Sequence, residues 1–192
     1  APVTALLIQN TNPVNVAPDQ TKVIEGFARD DLFTVVHEQF MTDTAKMADL
    51  VLPATMFMEH DDLYQGGGHQ HIMLGLKLVD APGECRSNHE LITDLAGRLG
   101  AEHDGFAMTP REIIDWTLQK SGWGTLAELE VTNFRDVQPK FDEAHYLNGF
   151  AYGDKKFRFK PDWPNVPFKS PWTAGPVAQM PVLPDHWEVT ES

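Results

Sequence analysis

Three short apolar runs constrain this chain more than any other feature: Val3 to Ile8, Leu32 to Val36 and Leu50 to Leu52. Each is too short for a helix and consists almost wholly of aliphatic or β-branched residues. The first is ended by Gln9-Asn10-Thr11-Asn12-Pro13 and the third by Pro53. Helix signals lie between them. Asp19 is placed to cap a helix to about Arg29, with Val23, Ile24 and Phe27 on one face. Thr42 or Asp43 is placed to cap a shorter one through Ala48. Near-continuous apolar strands joined by helices predict parallel pairing, because parallel neighbours need a crossover and the crossovers cover the sheet. The expected fold is α/β: a Rossmann-like parallel sheet with flanking helices, covered on both faces.

Further along, Ile72 to Val79 reads as extended. Asn88 is expected to cap a helix to about Leu99, with Leu91, Ile92, Leu95 and Leu99 as a core stripe and Gly100 as the stop. Thr109-Pro110 opens another helix to about Lys120, with proline at the first helical position. Seven of the 14 prolines then fall between Pro161 and Pro184, among Trp163, Trp172 and Trp187. That spacing forbids a helix or a central strand and predicts an irregular Pro/Trp-rich C-terminal arm lying on a protein surface. The expected organisation is an α/β segment over 1–105, a helical and irregular extension over 106–160, and an extended linker over 161–192.

Charge narrows the partners. Lys and Arg total 15 against 28 Asp and Glu, a formal net charge of −13. A phosphate backbone or an anionic membrane calls for a basic face, so neither nucleic acid nor membrane is expected as a partner. The single cysteine, Cys85, excludes an intramolecular disulfide and a cysteine-only metal site. No apolar run approaches 18 residues. The abrupt start on Ala1-Pro2 reads as a piece of something longer, and a cytoplasmic location is the expectation.

In an open parallel sheet, ligands bind beyond the carboxyl ends of the strands. Asn10-Thr11-Asn12-Pro13 and His37-Glu38 occupy those ends. Asn carboxamides both donate and accept and tolerate left-handed backbone, which suits phosphate, ribose or a base edge; a plain turn is the alternative. A carboxylate at a strand end accepts from ribose hydroxyls or a guanine edge; a solvated charge is the alternative. Glu59-His60-Asp61-Asp62 and His69-Gln70-His71 contain metal-binding residue types, but no histidine pair has the helical spacing of a zinc protease. Gly66-Gly67-Gly68 lacks a following Lys-Ser/Thr, so it reads as a close turn rather than a phosphate loop. Cys85 precedes a helix, with no histidine specifically placed to activate it.

Taken in order, these segments resemble one family. The strand, Asn10-Thr11-Asn12-Pro13, the helix, and Leu32 to Thr55 (Leu-Phe-Thr-Val-Val-His-Glu-Gln-Phe-Met-Thr-Asp-Thr-Ala-Lys-Met-Ala-Asp-Leu-Val-Leu-Pro-Ala-Thr) are similar to the molybdopterin oxidoreductases, the dimethyl sulfoxide reductase superfamily. Met58-Glu59-His60 and Ala81 to Asn88 continue the same order. The likeness is specific over 3–100 and weaker to 160. Phe157 to Trp163 and Leu183 to Trp187 resemble the connector into a last, barrel-like domain.

The resemblance implies part of the second of two Rossmann-like domains, which together hold molybdenum or tungsten between two molybdopterin guanine dinucleotides. Asn12, with Asn10, would contact one dinucleotide. His37 and Glu38 would hold its nucleoside end, His60 would sit near phosphate or guanosine, and Asn88 would meet the guanine edge. Relatives usually carry Asp at the positions of Glu38 and Asn88 and often Lys at that of His60, so these three depart from the pattern. The metal's protein ligand would lie upstream of this chain, as would an iron–sulfur motif if the whole enzyme has one. No catalytic or metal-ligating residue is expected here, and the fragment alone should be inactive. The partners implied are the remaining domains of the same polypeptide, a small-molecule redox substrate and an electron-transfer subunit. The alternatives are a stand-alone nucleotide-binding or interaction module without redox activity, and a His/carboxylate metallo-hydrolase.

Overall fold

The computed structural model describes residues 2–160 and 162. The chain divides into two compact units, Ala1–Gln138 and Pro139–Ser192.

In the first unit, β1 (Ala5–Gln9) leads through α1 (Pro13–Val16) and α2 (Gln20–Phe27) to β2 (Phe33–Glu38). Helix α3 (Asp43–Lys46) then leads to β3 (Leu50–Pro53). The three strands form one parallel sheet in the order β1-β2-β3, with Gln9 opposite His37 and His37 opposite Leu52. The caps follow the sequence. Asp19 accepts from Lys22 N, and Thr42 accepts from Ala45 N.

One face of the sheet packs Ile8 and Val36 against Ala45, Phe27 and Ala48, with Leu6 and Val51 joining the cluster. The other face carries Leu7, Phe33 and Leu50, all exposed. The expected cover on both faces is therefore corrected. Strand order follows chain order without reversal, and a crossover of the near-universal right hand then puts each connection on the same side.

Beyond Thr55 the architecture changes. Strands β4 (Asp62–Gln65) and β5 (His71–Gly75) form an antiparallel hairpin around Gly66-Gly67-Gly68. The extended run expected to reach Val79 ends at Gly75. There Tyr64 closes over the backbone so tightly that a Cβ on Gly75 would lie 2.0 Å from its ring.

Helix α4 (Asn88–Leu99) follows, ended by Gly100 at φ 66°. Its cap is Ser87, not Asn88. The Ser87 hydroxyl accepts from Glu90 N while the Glu90 carboxylate accepts from Ser87 N, a complete capping box that leaves Asn88 in the first helical position. The expected core stripe is also corrected: Ile92, Leu95 and Leu99 are exposed, Leu99 by 73%, and Ala96 is the buried residue of the helix. The periodicity was that of an apolar face, but the described residues leave Ile92, Leu95 and Leu99 open and only half-bury Leu91.

Helices α5 (Pro110–Lys120) and α6 (Leu126–Thr132) also begin with capping boxes, Thr109/Glu112 and Thr125/Glu128. Strand β6 (Phe134–Asp136) then adds to β5. Ile72, Ile114, Leu118, Leu126 and Leu129 form a second core between the helices and this antiparallel sheet. Truncating the fully buried Leu118 to Ala would cost about 2–5 kcal/mol.

The second unit contains α7 (Phe141–Ala144) and stacked rings: Phe141 on His145 at 4.0 Å and Tyr146 on Phe150 at 4.9 Å. Arg158 lies over Tyr152 and pairs with Asp154. The expected arm over 161–192, with Trp163, Trp172 and Trp187, lies outside the described residues except for Asp162.

Candidate functional site

The carboxyl ends of the parallel strands open onto a cleft of about 450 Å³. Asn10 leaves β1 with φ 58°, a left-handed conformation that asparagine tolerates better than most side chains. Asn12 stands at the N-cap position of α1, yet its side chain makes no cap bond. Its Oδ1 accepts instead from the Thr44 hydroxyl at 2.7 Å and from Thr44 N at 3.3 Å. The Asn12 Nδ2 group therefore keeps its N–H bonds for the cleft it lines.

Glu38 ends β2. One of its oxygens accepts from Gln39 N at 2.7 Å, and Gln39 in turn donates to Thr55 O at 2.7 Å. His60 shares a 2.7 Å hydrogen bond with the buried Thr55 hydroxyl, and its far nitrogen lies 3.8 Å from Asp62. Burial, and then the nearby Asp62 carboxylate, hold the Tyr64 hydroxyl above its ordinary pKa, so it remains a donor. It points to Phe57 O.

Five of the six expected site residues, Asn10, Asn12, Glu38, His60 and Asn88, line this one cleft. His37 does not. It is 1% exposed, on the opposite face of the sheet, and borders a separate open cleft with Leu50, Leu52, Cys85, Leu91 and Leu95. Its Nε2 lies 3.0 Å from Arg86 O, and its Nδ1 lies 3.1 Å from Gln9 Nε2. Gln9 Nε2 also donates to Asn88 Oδ1 at 3.2 Å, and Asn88 Nδ2 donates to Asn10 Oδ1 at 3.2 Å. His37 thus reaches the cleft only through other side chains.

The sequence reading missed Thr55, Gln39 and Tyr64, and it named Asp62 only among metal-binding residue types. Thr55 was findable, because it follows the end of the third strand just as Asn10 and Glu38 mark the ends of the first two. Asp62 and Tyr64 arrive on the hairpin, and no local signal announces where a hairpin docks.

The cleft lining offers two carboxylates and several carboxamides but no Lys or Arg. Such a lining suits hydroxyls and ring N–H groups better than a phosphate, which would meet the charge of Glu38 and Asp62 unscreened. Among the described residues, no group of three or more His, Cys, Asp or Glu side chains converges as a metal site would require. No helix among them is long and apolar enough to cross a membrane.

The structure is similar to acetylene hydratase from Pelobacter acetylenicus, with a TM-score of 0.60 over 71% of this chain at 24% identity, a likeness of fold. In sequence, the chain is 46% identical over 129 residues to the probable oxidoreductase YoaE of Bacillus subtilis, covering 67% of this chain. It is 35% identical over 134 residues to a periplasmic nitrate reductase of Desulfovibrio desulfuricans, covering 66% of this chain. The chain spans only 19% and 18% of those two relatives, and 19% of the hydratase. The family model for molybdopterin oxidoreductase matches residues 1–98, the stretch that contains the parallel sheet, Glu38, Thr55 and Asn88, and the chain belongs to that family.

Proposed function

We propose that this chain is a cofactor-binding part of a molybdenum or tungsten oxidoreductase, and that its cleft holds the nucleoside end of a molybdopterin guanine dinucleotide. The observation that carries the reading is the pairing of free carboxamide donors on Asn10 and Asn12 with the carboxylate acceptors Glu38 and Asp62 at the ends of parallel strands. Ribose hydroxyls and the N–H edge of guanine need acceptors, and the guanine 6-oxo group needs a donor. The lining supplies both. With no cation in the lining, the pyrophosphate falls to groups beyond this cleft.

When bound, the cofactor supplies two-electron redox chemistry, as oxygen-atom or hydride transfer. The residues of this chain bind and orient it. None of them is assigned a catalytic role, and the metal's protein ligand belongs to another part of the polypeptide. An iron–sulfur cluster, if the enzyme has one, also lies elsewhere. The exposed face with Leu7, Phe33 and Leu50, and the bare stripe of α4, support packing against the remaining domains of the same polypeptide, since apolar area of this extent seeks cover. That uncovered face also weighs against a stand-alone module. A small-molecule redox substrate and an electron-transfer subunit complete the reading as partners of the whole enzyme.

The test is purification of the full-length protein, followed by metal analysis and nucleotide release from the extracted pterin. GMP in proportion to pterin and metal is expected. The Glu38→Ala, Asn88→Ala double variant should lose most of both. A parent that yields pterin without GMP sinks the dinucleotide reading, and unchanged contents in the double variant sink the residue assignment.

A further inference from the structure

Four side chains form an unbroken hydrogen-bonded line from the buried His37 ring to the cleft: His37, Gln9, Asn88 and Asn10. Three of them are carboxamides, whose ends can exchange roles by a half-turn. The line therefore needs a fixed end to have a direction. Arg86 O is that end. It can only accept, and it is held in place by a second donor, Thr55 N at 3.1 Å. His37 Nε2, 3.0 Å away, must carry the ring proton. Nδ1 of that tautomer is a bare lone pair and accepts a hydrogen bond from Gln9 Nε2. The second Gln9 N–H goes to Asn88 Oδ1, and Asn88 Nδ2 then faces Asn10 Oδ1. Asn10 Nδ2 has no partner among the described residues, and Asn10 lines the cleft.

We infer that His37 is a positioning residue: acting through Gln9 and Asn88, its tautomer holds Asn10 with its N–H edge toward the cleft, so that the cleft selects a ligand presenting a lone pair there. This rests on the nucleotide reading above, in which the matching group is the 6-oxo oxygen of guanine. The register of the parallel sheet makes the arrangement possible, because Gln9 and His37 are direct cross-strand partners pointing to the same face.

The same logic gives a reversal. In Gln9→Glu, residue 9 can only accept. It accepts from His37 Nδ1, whose ring takes up a proton from solvent while Nε2 stays on Arg86 O, and it accepts from Asn88 Nδ2. Asn88 Oδ1 then accepts from Asn10, and Asn10 turns its Oδ1 to the cleft. Gln9→Met keeps the bulk but cuts the line, so Asn10 becomes free to turn either way.

Two measurements on cofactor-free full-length protein test this. The first is the ring ¹⁵N spectrum of histidine-labelled protein, with His37 assigned by substitution. A protonated Nε2 and bare Nδ1 are expected in the parent, and two protonated nitrogens in Gln9→Glu. A parent ring protonated at Nδ1 alone overturns the relay, whatever the nucleotides do. The second is calorimetric titration with GMP and with 2-aminopurine riboside 5′-monophosphate, which lacks the 6-oxo group. The parent should prefer GMP by about tenfold or more, as loss of a partner for a placed donor implies. The preference should fall to within about twofold in Gln9→Glu and to an intermediate value in Gln9→Met. A preference unchanged from the parent in either variant overturns the relay. The expected ring tautomers with no GMP preference in the parent support the relay and overturn the nucleotide reading.

Discussion

The Thr44 hydroxyl donates to Asn12 Oδ1 across 2.7 Å and so ties α3 to the loop that follows β1. The Thr44 hydroxyl oxygen also accepts from Val14 N at 3.1 Å, and Thr44 is fully buried. One side chain therefore both completes the backbone bonding of α1 and decides which edge of Asn12 reaches the cleft.

Replacing Thr44 with Val keeps the shape and removes both bonds. The Val14 N–H is left buried without a partner, at a cost of about 1–3 kcal/mol. Urea unfolding of the variant should show that loss. Cofactor retention should fall as well, because the Asn12 carboxamide is then held only by the longer 3.3 Å bond from the residue 44 N–H and turns more readily. Asn12→Ala should reduce retention with a smaller effect on the unfolding midpoint.

Ser87 and Asn88 are adjacent but have separable roles. Ser87→Ala removes the cap of α4 and should cost about 1 kcal/mol of stability. Asn88→Ala leaves the capping box intact and should act mainly on nucleotide retention. A stability loss in Asn88→Ala equal to that in Ser87→Ala would contradict this division.

Three capping-box glutamates make the helices sensitive to acid. Backbone N–H bonds from Ser87, Thr109 and Thr125 hold Glu90, Glu112 and Glu128 below their ordinary value of 4.5. A carboxylate whose folded pKa is depressed adds stability above its unfolded value, and that stability drains as pH falls through the folded one. Thermal stability should thus be insensitive to these groups above pH 4.5 and decline below it. The Glu90→Gln, Glu112→Gln, Glu128→Gln triple variant should show a shallower acid limb in the same melts.

Thr34 carries a buried hydroxyl with no hydrogen-bond partner among the described residues. Its backbone N–H is satisfied by Asp49 at 2.7 Å, so only the hydroxyl is unpaired. Thr34→Val should leave the fold intact and raise stability by about 1 kcal/mol. A destabilised variant would mean that the hydroxyl has a partner in the whole protein.

The bare stripe of α4 gives a test of the domain reading. In the full-length protein, Leu95→Asp should lower the melting midpoint by several degrees if the rest of the polypeptide covers this face. A neutral result would leave the face in water.

Much of the α/β portion was legible because its signals are local. Apolar runs, Asp19 and Thr42 as caps, Pro110 at a helix start and Gly100 as a stop act within a few residues of the chain, and each element stands within a few residues of its expected place. The rule that ligands bind at strand ends was enough to single out Asn10, Asn12 and Glu38. What the sequence could not determine depends on which surfaces meet. Leu95 and Leu99 have helical periodicity whether or not a partner covers them, so only packing revealed that they are open. The antiparallel sheet needed β6 to return across some 60 residues to pair with β5, and no local preference encodes that meeting. His37 looked like a ligand contact because it precedes Glu38. The two-residue alternation of a strand instead turns it to the opposite face, where cross-strand pairing with Gln9 and the carbonyl of Arg86 fix its role.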